Sequence, residues 1–228
     1  MPEVLPSQVS IGGTTLTAAS LIQKRLAESA DVKIATAHSC AGAIENAAEI
    51  VSVTLRNGGK VLLCGNGGSA SDCQHIAAEL VGRFRTDRRG LPALALTADT
   101  SVLTSVGNDL GFEKVFSRQV EASGRAGDVL IGVSTSARSK NVIEAMILAR
   151  EIGLSTIAFV GLRDGPVVRQ ADVVIKVPSS ETPRIQEAHI TIGHIICELI
   201  ENSLSRGGSG RDSRPEPIEE TTSLRGAC

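Results

Sequence analysis

The sequence has no tryptophan and no tyrosine, and four phenylalanines are its whole aromatic complement in 228 residues. Base-stacking platforms need such rings, so that mode of nucleic-acid binding is excluded. An excess of either charge is also missing. Lys and Arg number 23 against 25 Asp and Glu, a formal net charge of −2, so no bulk basic field recruits a polyanion. No apolar run approaches the roughly 20 residues that cross a bilayer. The N-terminus lacks the basic-then-apolar plan of a secretory leader. The five cysteines, Cys40, Cys64, Cys73, Cys197 and Cys228, are odd in number and spread out, with no CxxC pair. That argues against a disulfide framework or a thiolate zinc site and for free thiols in a reducing compartment. The expectation is a cytoplasmic protein with no membrane and no nucleic-acid partner.

What is present centres on residues 60–84, KVLLCGNGGSASDCQHIAAELVGRF. Residues 61–64 are a short apolar run suited to a buried strand. Gly65-Asn66-Gly67-Gly68-Ser69 follows, a turn whose glycines permit positive φ and close approach to a ligand. From Ser71 the pattern is helical. Strand, glycine-rich turn and helix together make a cradle of backbone N–H groups suited to an anion such as phosphate. One turn on, His75 and Glu79 stand at i and i+4 and share a helix face. A phosphate cradle beside a His/Glu pair points to chemistry on a phosphorylated small molecule.

Four further apolar runs, 93–96, 129–133, 156–160 and 173–177, read as strands buried on both faces. Helical stretches separate them, notably 139–151, stopped by Gly153. The alternation predicts an α/β fold: a doubly wound, five-stranded parallel sheet flanked by helices, with N-terminal helices before it. In such sheets ligands sit at the carboxyl ends of strands. Residues 1–18 read as a flexible arm. Residues 19–57 read as two helices broken near Ala30-Asp31. The second carries Ile34, Ala41, Ile44, Ala47, Ala48 and Val51 at helical spacing, a face for a partner subunit or for the chain's own sheet. Residues 183–203 form a last helix, and 19–203 a single domain. From residue 204 to 228 Gly, Ser, Pro and mixed charge leave little to bury, which predicts a disordered tail.

The turn after the third strand, Ser134-Thr135-Ser136-Ala137-Arg138-Ser139, offers four hydroxyls before a helix N-terminus, with Ser139 a plausible N-cap. It reads as a second phosphate-binding wall or as ordinary capping. His75 and Glu79 read as metal ligands, an acid/base pair or a solvated face. On the last helix, Gln186 and His194 are eight residues apart, roughly 12 Å along the axis. They converge on one ion only by leaning together or across subunits. His189 reads as a structural histidine.

Taken together, CGNGGSASDCQHIAAELVGRF, VGND at 106–109, STSARS at 134–139 and RIQEAHITIGHIICELIE at 184–201 resemble the phosphoheptose isomerases of the sugar-isomerase (SIS) superfamily, which have a flavodoxin-like fold. The resemblance runs from about residue 31 to 203. It implies a homotetramer with active sites at subunit interfaces. It also implies aldose–ketose isomerisation of sedoheptulose 7-phosphate to D-glycero-D-manno-heptose 7-phosphate through an enediol, for activated-heptose biosynthesis. By the same resemblance His75, Glu79, Gln186 and His194 surround a zinc ion. Asn66, Gly67, Gly68, Ser69, Glu79, Asn108, Asp109, Ser134, Thr135, Ser136, Ser139 and Gln186 hold the sugar phosphate. Glu79 and His194 are the expected catalytic pair. The alternative is a non-catalytic relative binding a partner such as the replication initiator DnaA. One departure stands out: Ala137-Arg138 replaces the usual Gly-Asn, giving up glycine's freedom and setting a guanidinium beside the serine turn.

Overall fold

The structure, a computed structural model, describes residues 8–11 and 14–207. Two short strands come first, β1 (Gln8–Ile11) and β2 (Thr14–Thr17), paired antiparallel with Gln8 opposite Thr17 and Ile11 opposite Thr14. The arm expected over 1–18 is thus partly a ribbon; residues 1–7 lie outside the described residues. Gly12-Gly13 between two short segments is a hairpin pattern in sequence.

Thr17 then caps α1 (Ala18–Arg56), its hydroxyl accepting the Ser20 N–H at 3.1 Å. The two expected N-terminal helices are one helix of 39 residues. Neither Ala30 nor Asp31 breaks it: Ala is the best helix former, and Asp costs at most about 0.7 kcal/mol. Nucleation is unfavourable once, not twice. The expected apolar face divides. Ile44, Ala47, Ala48 and Val51 are buried in the chain's own core, whereas Ile22, Leu26 and Ile34 are 58–67% exposed.

The remaining elements are β3 (Val61–Gly65), α2 (Gly68–Val81), β4 (Ala93–Ala95), α3 (Thr100–Asp109), α4 (Ser117–Ser123), β5 (Val129–Ser134), α5 (Lys140–Glu151), β6 (Ser155–Val160), β7 (Val173–Lys176) and α6 (Thr182–Gly207). Each expected strand is present within a residue or so of its expected bounds. The sheet is all parallel, in the order β4-β3-β5-β6-β7. Every residue of β3 and β5 is buried, because helices cover both faces. Val61, Leu63, Ile131 and Phe159 pack under α1, α2 and α6; Leu62, Cys64, Leu130 and Val160 pack under α4 and α5. The chain leaves β3 toward β4 on one side and β5 lies on the other, so β3 and β5 flank a topological switch point. α6 extends to Gly207; from residue 208 the expected tail lies outside the described residues.

Candidate active site

α2 and α6 lie side by side and run in the same direction. A Cβ on Gly68, at the start of α2, would lie 2.5 Å from Gln186 Nε2. A Cβ on Gly193 would lie 2.6 Å from Ile76 Cδ1. Past the end of α2, the N–H groups of Phe84, Arg85 and Thr86 donate to the Glu201 carboxylate at 2.9–3.0 Å. Contact thus advances along both helices together, and glycine at two crossings lets the backbones approach.

This alignment brings His194 onto the His75/Glu79 face. His194 Nε2 and His75 Nε2 are 3.1 Å apart, and His75 Nε2 is 3.2 Å from Glu79 Oε1. One ligand atom from each of the three lies within 4.8 Å of the others. Ligands at zinc distances sit about 3.4 Å apart on a tetrahedron's edge, so the donor set and its spacing fit a divalent ion. Two imidazole nitrogens facing each other need either a proton on one or a cation between them. The Phe84 ring stacks on His194, centroids 5.4 Å apart. Asp72, one turn before His75, has a buried Oδ2 with no partner among the described residues. Burial pushes its carboxyl up, and His75 acts against that shift. The Gln186 amide packs over Gly68, two helical turns before His75.

At the switch point, Gly67 takes φ +57°, ψ −125° and ends the β3 turn as the N-cap of α2, a conformation that favours glycine. Ser69 is buried, its N–H donating to Asn66 O. The Asn66 side chain exchanges two 2.9 Å hydrogen bonds with buried Asn141 in the first turn of α5. This amide pair ties the glycine-rich turn to the serine turn. Ser139 is the N-cap of α5 by position, but its hydroxyl does not cap; it meets the buried Ser134 hydroxyl at 2.9 Å. Thr135 and Ser136, in the same turn, line a cleft with the loops after β6 and β7.

Among the described residues no hydrogen bond joins Asn108 or Asp109 to this cluster. They end α3, a helix with no buried residue, and hydrogen-bond each other at 2.7 Å. His189 is fully buried, its Nε2 3.3 Å from Val160 O, and burial holds its pKa down at about 4. Burial pushes the Cys64 and Cys197 thiols up to about 12, consistent with inert filler.

Sequence reasoning missed Asn141 and Phe84. Asn141 stands four residues before Ala145 and eight before Ala149, on the face of α5 that is buried; a polar residue there needs a partner. Phe84 is one of only four aromatic side chains, placed just past the His/Glu helix.

Residues 26–161 match the SIS domain family. The phosphoheptose isomerase of Roseiflexus sp. (strain RS-1) is 56% identical over 176 residues, 77% of this chain and 89% of that protein. That of Aquifex aeolicus is 55% identical over 180 residues, 79% and 94%. The chain belongs to the phosphoheptose isomerase family. Solved structures agree: phosphoheptose isomerase GmhA from Neisseria gonorrhoeae is 45% identical with a TM-score of 0.77, covering 82% of this chain and all of that one. A Francisella tularensis family member superposes with a TM-score of 0.79 at 37% identity, with the same coverage.

Proposed function

We propose that the protein isomerises sedoheptulose 7-phosphate to D-glycero-D-manno-heptose 7-phosphate, a step toward activated heptose. The observation that carries this reading is the meeting of His75, Glu79 and His194 across α2 and α6, on the helix that opens at the glycine-rich turn. Moving the carbonyl from C2 to C1 requires a base that takes a proton from C1 and returns it to C2. Glu79 is that base: its carboxylate is half-buried, and Oε1 faces His75, leaving a second oxygen for the proton. His194 passes a proton between O1 and O2 of the enediol, its ring oriented by Phe84. Asn66, Gly67, Gly68 and Ser69 bind the sugar at the β3 turn, with Gln186 above them. Ser134, Thr135, Ser136 and Ser139 bind the phosphate end. The ligands His75, Glu79, Gln186 and His194 would hold a zinc ion, which supplies Lewis acidity to the carbonyl oxygen.

A homotetramer with interfacial sites belongs to the same proposal. The His75 side chain is 48% exposed, so a single chain leaves the site open. Asn108 and Asp109, at the end of α3, belong to the same substrate-binding set. The apolar residues Ile22, Leu26 and Ile34, exposed on α1, support an assembled form. A phosphorylated substrate and four free, buried cysteines among the described residues suit the cytoplasm, and no described helix is long and apolar enough to cross a membrane.

The test is turnover of sedoheptulose 7-phosphate before and after chelation, with zinc restored. Activity that vanishes on chelation and returns with zinc supports both the reaction and the metal. A folded, assembled protein with no turnover in any state sinks the reading.

A further inference from the structure

The loops after β5, β6 and β7 enclose a cleft of about 120 Å³. Whole small-molecule sites run from about 300 Å³ upward, so this one takes a single compact group. The hydroxyl-bearing residues Thr135, Ser136, Ser179, Ser180 and Thr182 line it. So do two arginines, Arg138 and Arg163, and no Asp or Glu. Among the described residues neither guanidinium is in an ion pair, whereas Arg25, Arg88, Arg118 and Arg184 all are. The carboxylate next to Arg163 in sequence, Asp164, is engaged by Lys176 at 2.8 Å.

The three loops are laced together by backbone bonds. Gly161 N–H donates to Thr135 O at 3.2 Å, Leu162 N–H to Ser179 O at 2.9 Å and Val167 N–H to Ala137 O at 3.2 Å. Ala137 is buried at φ +55°, and this left-handed residue reverses the turn so that Arg138 stands exposed at the rim. Gly165 makes room: a Cβ there would lie 2.2 Å from Ala137 O. Both arginines are therefore carried on fixed backbone, the condition for preorganised recognition of an anion.

We propose that Arg138 and Arg163 are specificity-determining residues that grip the substrate's terminal phosphate in this cleft. The inference rests on the isomerase reading and deepens it. Guanidinium groups match phosphate oxygens in a bidentate fork and keep their charge at any working pH. The cleft lies at the start of α6, where Thr182 and Ile185 line it. Gln186 follows over Gly68, and His194 lies roughly 12 Å further along the axis. A phosphate held here directs the carbon chain along α6 toward the trio, so its grip sets which chain lengths reach Glu79.

The probe is inorganic phosphate as well as substrate, on the full-length protein with its metal. Arg138→Ala and Arg163→Ala should each raise KM for sedoheptulose 7-phosphate at least tenfold, and the double variant at least a hundredfold, with the loss in KM larger than that in kcat. The inhibition constant of inorganic phosphate should rise in parallel, and lysine at either position should restore part of it. Thermal midpoints and oligomeric state are checked on each variant; if the double does not fold, the single variants to Gln carry the same comparison. Unchanged KM and unchanged phosphate affinity would overturn the proposal, as would a loss confined to kcat. Calorimetric binding of phosphate needs no turnover. A wild type that binds phosphate through these arginines without isomerising the heptose phosphate would defeat the isomerase reading and leave the cleft standing.

Discussion

Glu79 and Glu201 lie near the same, C-terminal end of the α2–α6 pair, where Arg88 reaches both the Glu201 carboxylate and the Glu79 carbonyl, yet their carboxylates have opposite surroundings. Glu201 is 3% exposed and accepts from three consecutive backbone N–H groups and from Arg88 Nε at 2.9 Å. Burial alone would raise its carboxyl, but the Phe84, Arg85 and Thr86 donors outweigh it and hold the pKa down at about 2. Arg88 also donates to the carbonyls of Glu79, Leu80 and Gly82, closing off the C-terminus of α2. Glu79 is a quarter exposed, and its carboxylate has one close partner among the described residues, His75. A carboxylate with every lone pair used stabilises the fold; one left underused is available to a substrate or an ion. The saturated carboxylate, through Arg88, fixes the backbone that carries the open one.

The most severe way to break this contrast is Glu79→Gln. Turnover should fall by about 10²–10⁴-fold, the scale of a lost general base, while phosphate binding measured calorimetrically stays. A variant that keeps near-normal kcat would remove Glu79 from the mechanism. Glu201→Gln should act on stability instead. It leaves the Arg88 charge buried without its partner, costing on the order of 3–5 kcal/mol in urea unfolding. A loss of kcat without a loss of stability would place Glu201 on the wrong side of the comparison.

Acid titration sharpens it further. Glu201 has a folded pKa depressed from 4.5 to about 2, so its contribution is complete above about pH 4.5 and is lost as pH falls toward 2. His189 is depressed from 6.5 to about 4, chiefly by burial. Protons therefore bind the unfolded chain first, and stability drops as pH falls from about 6.5 to about 4. Urea midpoints across pH should show both windows in the wild type and only the upper one in Glu201→Gln. The smallest effect is expected from Ala137→Gly. Relief of left-handed strain, about 1–2 kcal/mol, is offset by a lost buried methyl and a freer unfolded chain. The stability should stay within about 1 kcal/mol of wild type; a larger loss would mean that the methyl itself holds the serine turn.

Much of this was legible in the chain. Each strand is a short apolar run between helical stretches, and burial on both faces of a parallel sheet makes that pattern unambiguous. The glycine-rich and serine-rich turns stood out because glycine and hydroxyl residues cluster where a strand ends. Other features were hidden. The continuity of α1 was missed because Ala30-Asp31 looked like a boundary, though neither residue stops a helix. Asn141 was missed because its partner, Asn66, is 75 residues away. The Arg88–Glu201 clasp spans 113 residues; Glu201 closes the 184–201 stretch, but nothing local to it names Arg88 as its partner.

Residue type and local order alone settle the sheet, its glycine-rich and serine-rich turns and the His75–Glu79 face, since these depend on strand burial, glycine geometry and helical period. The parallel register of α2 on α6 was decided by packing, through Gly68 and Gly193 at the crossings. That register carries His194 to His75 across 119 residues and sets Gln186 over the glycine turn; backbone bonds among the loops after β5, β6 and β7 bring Arg138 and Arg163 to one cleft. Contacts between distant segments follow from how surfaces fit together, and no short-range pattern in a chain encodes that fit.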